Sequence, residues 1–374
     1  MSLPEFPHLN PPSRVLLGPG PSMVHPRVLR ALVAPPVGHL EPYLLHLYQE
    51  EQTLLRYVFQ TKNEWTFAIS GTGTSGMEAA LANLIKLGDA VLVAIHGYFG
   101  ERMAEIAARL GAQVDRIQRP AGEIFSVEEI ESALARRKYK LLALVHAETS
   151  TGAEQLHIGE IAAAAHKHGA LVVLDTVTSL GGIPVKVDEW EVDIAYSASQ
   201  KNLGAPSGLS PVTVSPRARE VIEKRKTPIP SFYLDLKLYA TYWGEAHAYH
   251  HTASASLHYA LREALCLIAE EGLEKAFART RANAEFLWQG LEELGAPPFV
   301  PLAYRLPPLT TARVPEGVDP HHLRQRLLEE YNIEIAAGFA ALRDKVWRIG
   351  LMGYSSRKEN ITLLLAAMRE LLKR

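Results

Sequence analysis

Short apolar runs alternate with amphipathic helical patterns between residue 21 and about residue 215. The apolar runs are uninterrupted, as is typical of strands buried on both faces of a parallel sheet. They predict strands at 66–69, 90–95, 141–146, 171–174 and 193–197, and the segments between them predict helices at 77–85, 100–110, 127–136 and 158–168. This alternation predicts an α/β domain with a mostly parallel sheet that helices cover on both faces.

The C-terminal third has a different pattern. A long helical stretch runs from about residue 254 to residue 294 and is broken near Gly272. Strand-like runs follow at 310–314, 333–336 and 346–349, and a closing helix is predicted at 357–372. We therefore divide the chain into a proline-rich extended arm at 1–20, a large domain at 21–270 and a smaller C-terminal α+β domain at 271–374.

Composition and charge exclude several classes of protein. The chain has 374 residues, of which 47% are hydrophobic and 21% charged, and its formal net charge of −2 argues against a nucleic-acid binder. No apolar run reaches the roughly 18 residues that span a bilayer, and no basic start leads into a hydrophobic stretch. The single cysteine, Cys266, excludes an internal disulfide and a multi-cysteine zinc site. We expect a cytoplasmic enzyme.

Residues 70–78 form a small, hydroxyl-rich segment that follows the first predicted strand and leads into a helix. Ser75 and Glu78 have the spacing of a capping box, so we expect them to mark the start of that helix. Its free N–H groups could bind a phosphate, with Gly73 allowing close approach and Thr74 and Ser75 adding hydroxyl donors. Taken alone, the segment is equally compatible with a capped helix that binds nothing.

Two charged residues follow later strands of the same predicted sheet. Asp175 directly follows the run 171–174, where a buried carboxylate is costly unless a cation meets it. Lys201 comes one short loop after the strand 193–197, where desolvation favours the neutral amine that forms an imine. Singly, an aspartate that caps a turn and a lysine on a surface loop are the commoner interpretations. Together with a phosphate-binding loop, they form the set that pyridoxal 5′-phosphate (PLP) chemistry requires.

Eight short motifs extend this set over nearly the whole chain. They are LGPGPS at 17–22, YVFQT at 57–61, SGTGTS at 70–75, ETSTG at 148–152, DTVTSLGG at 175–182, SQK at 199–201, YHHT at 249–252 and RIG at 348–350. In this order they resemble the class V aminotransferases of PLP fold type I, and above all the alanine–glyoxylate/serine–pyruvate group. The resemblance implies a large PLP-binding domain, a smaller C-terminal domain and a homodimer with shared active sites.

The resemblance also implies a role for each matching residue that contacts the cofactor. Lys201 would hold PLP through an imine, and Asp175 would pair with the pyridine nitrogen. The phosphate would be bound near Ser75 and, from both subunits of the dimer, by Gly73, Thr74, Gln200, Tyr249 and Thr252.

The remaining matches concern the cofactor ring and the substrate. Val177 would pack under the ring, Phe99 would stack on its other face, and Thr149 would bond near its phenolic oxygen. Relatives often have tryptophan and serine at the positions of Phe99 and Thr149, and both replacements keep a flat face or a hydroxyl. Arg348 would bind the substrate carboxylate, a bidentate task that suits a guanidinium better than an ammonium.

The expected reaction is a ping-pong transamination from alanine or serine to glyoxylate or pyruvate. Other interpretations are ureidoglycine–glyoxylate transfer, phosphoserine transamination, a cysteine desulfurase-like lyase and a PLP-fold binding protein without catalysis. A lyase of that kind needs a mobile cysteine, whereas Cys266 lies in an apolar helical pattern and is expected in the core. Several histidines near residue 250 could suggest a metal, but no carboxylate or cysteine pattern accompanies them, so we expect no metal site.

Overall fold

The computed structural model describes residue 3 and residues 6–372, so parts of the predicted arm (1, 2, 4, 5) and small domain (373–374) lie outside the described residues. The strands are β1 (Val15–Leu16), β2 (Trp65–Ser70), β3 (Ala90–Ile95), β4 (Gln113–Gln118), β5 (Leu141–Val145), β6 (Ala147–Glu148), β7 (Ala153–Glu154), β8 (Leu171–Asp175), β9 (Ile194–Tyr196), β10 (Leu209–Val214), β11 (Leu309–Arg313), β12 (Ile333–Glu334), β13 (Ala336–Ala337) and β14 (Val346–Gly350). The helices are α1 (Pro26–Leu32), α2 (Pro42–Phe59), α3 (Gly73–Leu84), α4 (Tyr98–Arg109), α5 (Val127–Leu134), α6 (Ile158–Lys167), α7 (Pro216–Glu223), α8 (Leu236–Trp243), α9 (Ala255–Glu271), α10 (Leu273–Glu293), α11 (Pro320–Tyr331) and α12 (Lys358–Leu371).

The large domain is built on a seven-stranded sheet of order β2-β10-β9-β8-β5-β3-β4. All neighbouring pairs are parallel except those that β10 makes with β2 and β9. The carboxyl ends of β2, β9, β8, β5 and β3 therefore meet at one edge of the sheet. This arrangement confirms the predicted mostly parallel α/β fold and collects the loops after five strands in one place.

Two strands of this sheet were not predicted from the sequence. β4 (QVDRIQ) lies at the sheet edge and is mostly exposed or half-buried, so it lacks the apolar run that marked its neighbours. β10 contains Pro211, a residue that argues against a central strand because it cannot donate to the ladder. The carbonyl of Pro211 nevertheless accepts the Ser197 N–H at 2.8 Å, so the strand keeps its pairing on the acceptor side.

Helices α2 and α11 were also not predicted, although their starts carry a recognisable signal. Each begins with a proline directly after an acidic N-cap: Glu41 accepts the Tyr43 N–H at 2.8 Å, and Asp319 accepts the His321 N–H at 2.8 Å. Proline fits the first helical position because its missing N–H would have no partner there.

The apolar interior comprises a large cluster around the seven-stranded sheet, a small one in the C-terminal part and a third, minor one that includes Leu309 and Met352. Helix α10 contributes Phe277 to the large cluster and Leu291 to the small one, so this helix connects the two. The small cluster packs against the three-stranded antiparallel sheet β11-β14-β13 and includes Leu17 from near the start of the chain. β1 pairs with β12 in parallel, and Val15 packs beside Leu17 against the C-terminal cluster.

The close packing of Gly350 against the N-terminal segment yields a stability prediction. The Gly350 N–H donates to the Leu17 carbonyl at 2.8 Å, and a Cβ on Gly350 would overlap the carbonyl of Gly18. We expect Gly350→Ala to lower the free energy of unfolding in urea by about 1–3 kcal/mol, the usual cost of overpacking. At Gly38 an added Cβ would have ordinary contact, 3.9 Å from Glu41 Cβ, so Gly38→Ala is the control. Equal urea midpoints for the two variants would contradict this reading.

Candidate active site

Asp175, the last residue of β8, is buried with both carboxylate oxygens bonded. Its Oδ1 accepts the Val177 N–H at 2.8 Å, and its Oδ2 accepts the Tyr196 hydroxyl at 2.8 Å. Burial raises the pKa of Asp175 to about 7, although both hydrogen bonds and the charge of Lys201 act against this shift. A carboxylate in such a position gains stability from any cation that is brought to it.

The loop after β9 carries Lys201 to the same edge of the sheet, where residues 17–22 pass over it. We call residues 17–22 the N-terminal strap. The Lys201 amine donates to the carbonyl of Pro19, and the Ser22 hydroxyl donates to the carbonyl of Lys201 at 2.9 Å. A Cβ on Gly20, whose φ is +103°, would lie 2.7 Å from Lys201 Cδ. The strap therefore needs glycine at this position to approach the lysine so closely.

The environment of Lys201 favours its neutral form. Burial lowers the pKa of Lys201 to about 8, the charge of Arg348 adds to this shift, and Asp175 opposes it. Asp175 and Lys201 each influence the pKa of the other, so the two charges lie close enough to interact. An amine with a pKa near 8 is far more often neutral at physiological pH than an ordinary lysine, as a nucleophile must be.

The loop after β2 begins α3 earlier than the sequence predicts. The helix starts at Gly73 and its N-cap, Thr72, makes no side-chain cap bond. The expected capping box of Ser75 and Glu78 is wrong, because Ser75 lies inside the first turn and its hydroxyl donates back to the Thr72 carbonyl at 2.6 Å. A Cβ on Gly73 would lie 3.0 Å from Ala198 Cβ, so this helix start is pressed against the loop that leads to Lys201. Its first N–H groups are left for an anion.

The loop after β5 holds the first turn of α4 in place. Glu148 is fully buried, and its Oε1 accepts the Ser150 hydroxyl at 2.6 Å and the Ser150 N–H at 3.0 Å. Ser150 Oγ in turn accepts the Tyr98 N–H at 2.9 Å. The N-cap residue of α4 is Gly97, which has no side chain, so Ser150 caps the helix from another loop. These contacts fix Phe99, the second residue of the helix, at the sheet edge.

Three further residues singled out from the sequence meet between these loops. The Thr149 hydroxyl hydrogen-bonds to the Thr178 hydroxyl, and the Thr149 carbonyl accepts Nη1 of Arg348 at 3.3 Å. A Cβ on Gly73 would lie 3.1 Å from Val177 Cγ2, so Val177 lies beside the start of α3. The structure thus brings Gly73, Thr149, Val177 and Arg348 together with Asp175 and Lys201.

Arg348 lies in the middle of β14 and extends from the small domain towards the sheet edge. Its Nε donates to the Ala337 carbonyl at 2.8 Å, and its guanidinium carbon lies 5.4 Å from the centre of the Phe339 ring. Tyr98 packs edge-on against Phe339 with ring centres 4.3 Å apart. Burial lowers the pKa of Arg348 to about 10, while Glu148 raises it, so the guanidinium stays protonated at neutral pH.

Tyr249 and Thr252 lie apart from this group. Tyr249 is 62% exposed, and its hydroxyl contacts the Thr252 hydroxyl at 3.4 Å. Within residues 3 and 6–372, neither side chain bonds to Lys201 or Asp175. Their segment is joined to the end of β2 through His251, whose Nε2 lies 2.6 Å from Ser70 Oγ.

The tautomers of His250 and His251 follow from the hydrogen bond that His250 makes to one carbonyl group. His250 Nε2 faces the Phe232 carbonyl at 3.2 Å, and a carbonyl oxygen can only accept. With both rings neutral, His250 Nδ1 therefore accepts from His251 Nδ1 at 2.9 Å, which leaves His251 Nε2 to accept the Ser70 hydroxyl. Burial lowers the pKa of His251 to about 4, consistent with a neutral ring.

Buried polar atoms without partners indicate that the site accommodates a polar ligand. Gln200 Oε1 and Glu148 Oε2 are buried and make no hydrogen bond within the described part of the chain. Such atoms cost free energy unless a ligand or water satisfies them. A buried acid, a partly neutral lysine and a helix start with free N–H groups match the pyridine nitrogen, aldehyde and phosphate of PLP. The donor set therefore fits this cofactor.

The other expectations from the sequence have mixed outcomes. Cys266 is only half-buried on α9, so its placement in the core is wrong; Ala264, Leu265 and Ile268 occupy the inner face of that helix instead.

Among the described residues there is no group of three His, Cys, Asp or Glu side chains that could hold a metal ion. No described helix is long and apolar enough to cross a membrane. The cytoplasmic location stays a prediction.

Sequence reasoning missed Tyr196 and Glu148. Tyr196 donates to Asp175 from the neighbouring strand, and nothing in a buried apolar run marks one tyrosine as its partner. Glu148 had a signal, because it is a carboxylate shortly after a buried strand, just as Asp175 is. The rule that singled out Asp175 in the sequence could therefore also have singled out Glu148.

Comparison with known proteins identifies the family. The sequence profile of the family "Aminotransferase class-V" matches residues 17–364. The fold and the site define a PLP-dependent transferase of fold type I, and the chain belongs to the class V aminotransferases.

Individual relatives cover nearly the whole chain. An alanine–glyoxylate aminotransferase from Nostoc sp. has a crystal structure with a TM-score of 0.96, 50% sequence identity and coverage of 100% of both chains. A ureidoglycine–glyoxylate aminotransferase from Bacillus subtilis has a TM-score of 0.96 and 41% identity over 98% of this chain and 95% of its own. The alanine–glyoxylate aminotransferase of Mus musculus is 41% identical over 371 residues, or 98% of this chain and 89% of its own. The expected PLP-dependent aminotransferase is confirmed.

The buried carboxyl group of Asp175 yields a prediction on pH. Its pKa rises from 3.8 to about 7 on folding, so as pH increases the unfolded chain loses this proton first. The cofactor-free protein should therefore lose stability relative to Asp175→Asn between about pH 4 and pH 7, by about 4 kcal/mol at most. Urea unfolding of both proteins across this range measures the difference.

The matched control is Asp235→Asn, at the N-cap of α8, where asparagine caps as well as aspartate does. This variant should follow the wild type without a comparable trend. A constant difference between wild type and Asp175→Asn at all pH values would contradict the raised pKa.

Proposed function

We propose that this chain transfers the amino group of a small amino acid, alanine or serine, to glyoxylate or pyruvate. The observation that carries the proposal is the pairing of a half-buried, partly neutral Lys201 with a buried Asp175 at the carboxyl edge of a parallel sheet. The names of the similar proteins support glyoxylate as acceptor, since the relatives from Nostoc, Bacillus subtilis and Mus musculus all carry it in their names.

The chain's own residues would divide the work of binding PLP. Lys201 would bind its aldehyde carbon, and Asp175, held by Tyr196 and Val177, would keep its ring nitrogen protonated. The start of α3, with Gln200, would bind the phosphate through Gly73 and Thr74. Phe99 and Val177 would pack on the two faces of the ring, and Thr149 would bond to its phenolic oxygen. When bound, PLP supplies an electron sink that stabilises negative charge at the substrate Cα.

Lys201 also has the properties of the general base and acid. Once its amine is free, a pKa near 8 would let Nζ accept the proton from the substrate Cα and then donate it to the former aldehyde carbon of PLP. The Pro19 carbonyl, which accepts from Nζ, would orient the amine between these two transfers.

Arg348 would bind the α-carboxylate of the substrate. Its Nε is engaged by Ala337 and its Nη1 only weakly by Thr149, at 3.3 Å, while Nη2 makes no hydrogen bond within the described residues. Nη1 and Nη2 are thus available as a fork for two carboxylate oxygens. The rings of Tyr98 and Phe339 beside the guanidinium would pack against a small side chain.

We further propose a homodimer with shared active sites. Tyr249 and Thr252 form an exposed pair of hydroxyls on a segment fixed by His251, as would suit contact with the phosphate of a second copy. Apolar side chains on and near α1 and α2 are also exposed, including Val33 at 80% and Tyr43 at 61%. Exposed apolar surface of this kind is typical of an interface between subunits.

A second candidate donor is ureidoglycine, because the ureidoglycine–glyoxylate aminotransferase of Bacillus subtilis matches this chain with a TM-score of 0.96.

The remaining alternatives have less support. A phosphoserine aminotransferase and a cysteine desulfurase match at 18% and 17% identity, which concerns the fold alone. A desulfurase needs a reactive cysteine near the cofactor, whereas burial raises the pKa of the Cys266 thiol. That thiol also lies among charged residues of α1 and α9 rather than beside Lys201. A non-catalytic protein would have no need of Lys201, Asp175 and Arg348 together.

Replacing the lysine tests the assignment of Lys201. Lys201→Ala should lose the visible absorbance of lysine-bound PLP, and transamination should fall on the order of 10²–10⁴-fold or more, because both the link and the proton acceptor are removed. The control is Lys167→Ala, a lysine 71% exposed that pairs with Glu131 on the surface. Unchanged absorbance and turnover in Lys201→Ala would refute the assignment.

Half-reactions identify the donor. We expect alanine and serine to bleach the absorbance of lysine-bound PLP fastest, with aspartate and glutamate slower, because the substrate side chain would face the rings of Tyr98 and Phe339. Stopped-flow absorbance with each amino acid, and with ureidoglycine, gives the rates. If aspartate or glutamate reacted fastest, the proposed substrate class would be wrong, although the aminotransferase assignment would stand.

A further inference from the structure

Arg102 links two parts of the candidate site that come from different loops. It lies on α4 and is half-buried, and its Nη1 donates to Thr74 Oγ1 on α3 at 3.2 Å. Its guanidinium carbon also lies 4.9 Å from the centre of the Phe99 ring and 5.1 Å from that of Tyr98. One side chain therefore contacts both the proposed phosphate loop and the proposed stacking ring.

The charge of Arg102 is not neutralised by the protein. Within residues 3 and 6–372, no carboxylate forms an ion pair with Arg102, whereas Arg109 on the same helix pairs with Glu105. The guanidinium also faces the interior of the site. Burial strongly raises the pKa of Tyr196, the partner of Asp175, and the charge of Arg102 opposes that shift. An unpaired cation at this place complements an anion.

The direction of the hydrogen bond between Arg102 and Thr74 has a chemical consequence. A guanidinium can only donate, so Thr74 Oγ1 is the acceptor and its own hydrogen must point elsewhere. A hydroxyl that accepts from a cation becomes a stronger donor, because hydrogen bonds in series polarise one another. Thr74 is the second residue of α3, so its hydroxyl and the free N–H groups of the helix start lie together.

We propose that Arg102 is a positioning residue for the PLP phosphate. It orients the Thr74 hydroxyl so that this hydroxyl donates a hydrogen bond to the phosphate, and it adds positive charge beside the start of α3. It also holds the Phe99 ring in position to stack on the cofactor. This inference rests on the proposed function, since it concerns the same cofactor. Arg102 acts through Thr74 and Phe99. Lysine could keep the charge at this position but not the flat face that lies on the ring.

The first test measures PLP affinity. Arg102→Met should weaken PLP binding about 10- to 100-fold, the effect of losing one charge-assisted hydrogen bond, and Arg102→Lys should recover part of that loss. The circular dichroism of bound PLP in the visible range should change in both variants, since both release Phe99. The control is Arg109→Met, which removes an exposed arginine from the same helix and should bind PLP as the wild type does.

A double-mutant cycle tests the link to Thr74. If Arg102 acts through the Thr74 hydroxyl, Thr74→Val should weaken PLP binding in the wild type but add little in Arg102→Met. Independent, multiplying losses would overturn the link. If Arg102→Met does not fold, the same cycle in Arg102→Lys decides: a smaller Thr74→Val penalty supports the proposal, and an unchanged one overturns it.

Binding of inorganic phosphate and of pyridoxal shows whether Arg102 acts on the phosphate group or on the ring of the cofactor. Phosphate should raise the melting temperature of the cofactor-free wild type more than that of cofactor-free Arg102→Met, and the loss of affinity should be larger for PLP than for pyridoxal. Equal PLP affinities for Arg102→Met, Arg102→Lys and Arg109→Met would overturn the role of Arg102 and leave the proposed function intact. A wild type that binds no PLP would overturn both.

Discussion

A buried carboxylate and a half-buried amine, close together at one edge of a parallel sheet, determine how the rest of the site is built. Neither charge is stable there without partners, and each loop around them supplies some. Tyr196 and the Val177 N–H bond to Asp175, and the Pro19 carbonyl bonds to Lys201. The pKa of Asp175 still rises to about 7 and that of Lys201 falls to about 8. The protein alone leaves this pair incompletely satisfied, as a site prepared for a charged cofactor would be.

The two domains contribute to this site in different ways. The large sheet supplies Asp175 and Lys201 from the ends of its strands, whereas β14 of the small domain supplies Arg348. Glu148 lies where these contributions meet, because it holds the start of α4 and raises the pKa of both Asp175 and Arg348. A single buried carboxylate thus influences the acid, the guanidinium and the helix that carries Phe99.

Sequence patterns were sufficient for the features that depend on short stretches of chain. Uninterrupted apolar runs located β3, β5 and β8, and the rule for parallel sheets placed Asp175 and Lys201 at one edge. Motif resemblance then added Arg348. The patterns failed where tertiary contact decides: β4 is polar because it lies at an edge, and α4 takes its cap from Ser150, 52 residues away. Arg102 resembles any helix-surface arginine until α3 and α4 are placed side by side.

The N-terminal strap connects the strand that carries Arg348 to Lys201 over a short length of chain. Leu17 is anchored in the small apolar cluster and bonded to Gly350, two residues from Arg348, while Pro19 and Ser22 hold Lys201 and its backbone. No flexible linker separates these anchor points. If Arg348 binds the substrate carboxylate as proposed, any shift of β14 on binding would act through the strap on the orientation of the Lys201 amine, so that substrate recognition and alignment of the base would be coupled.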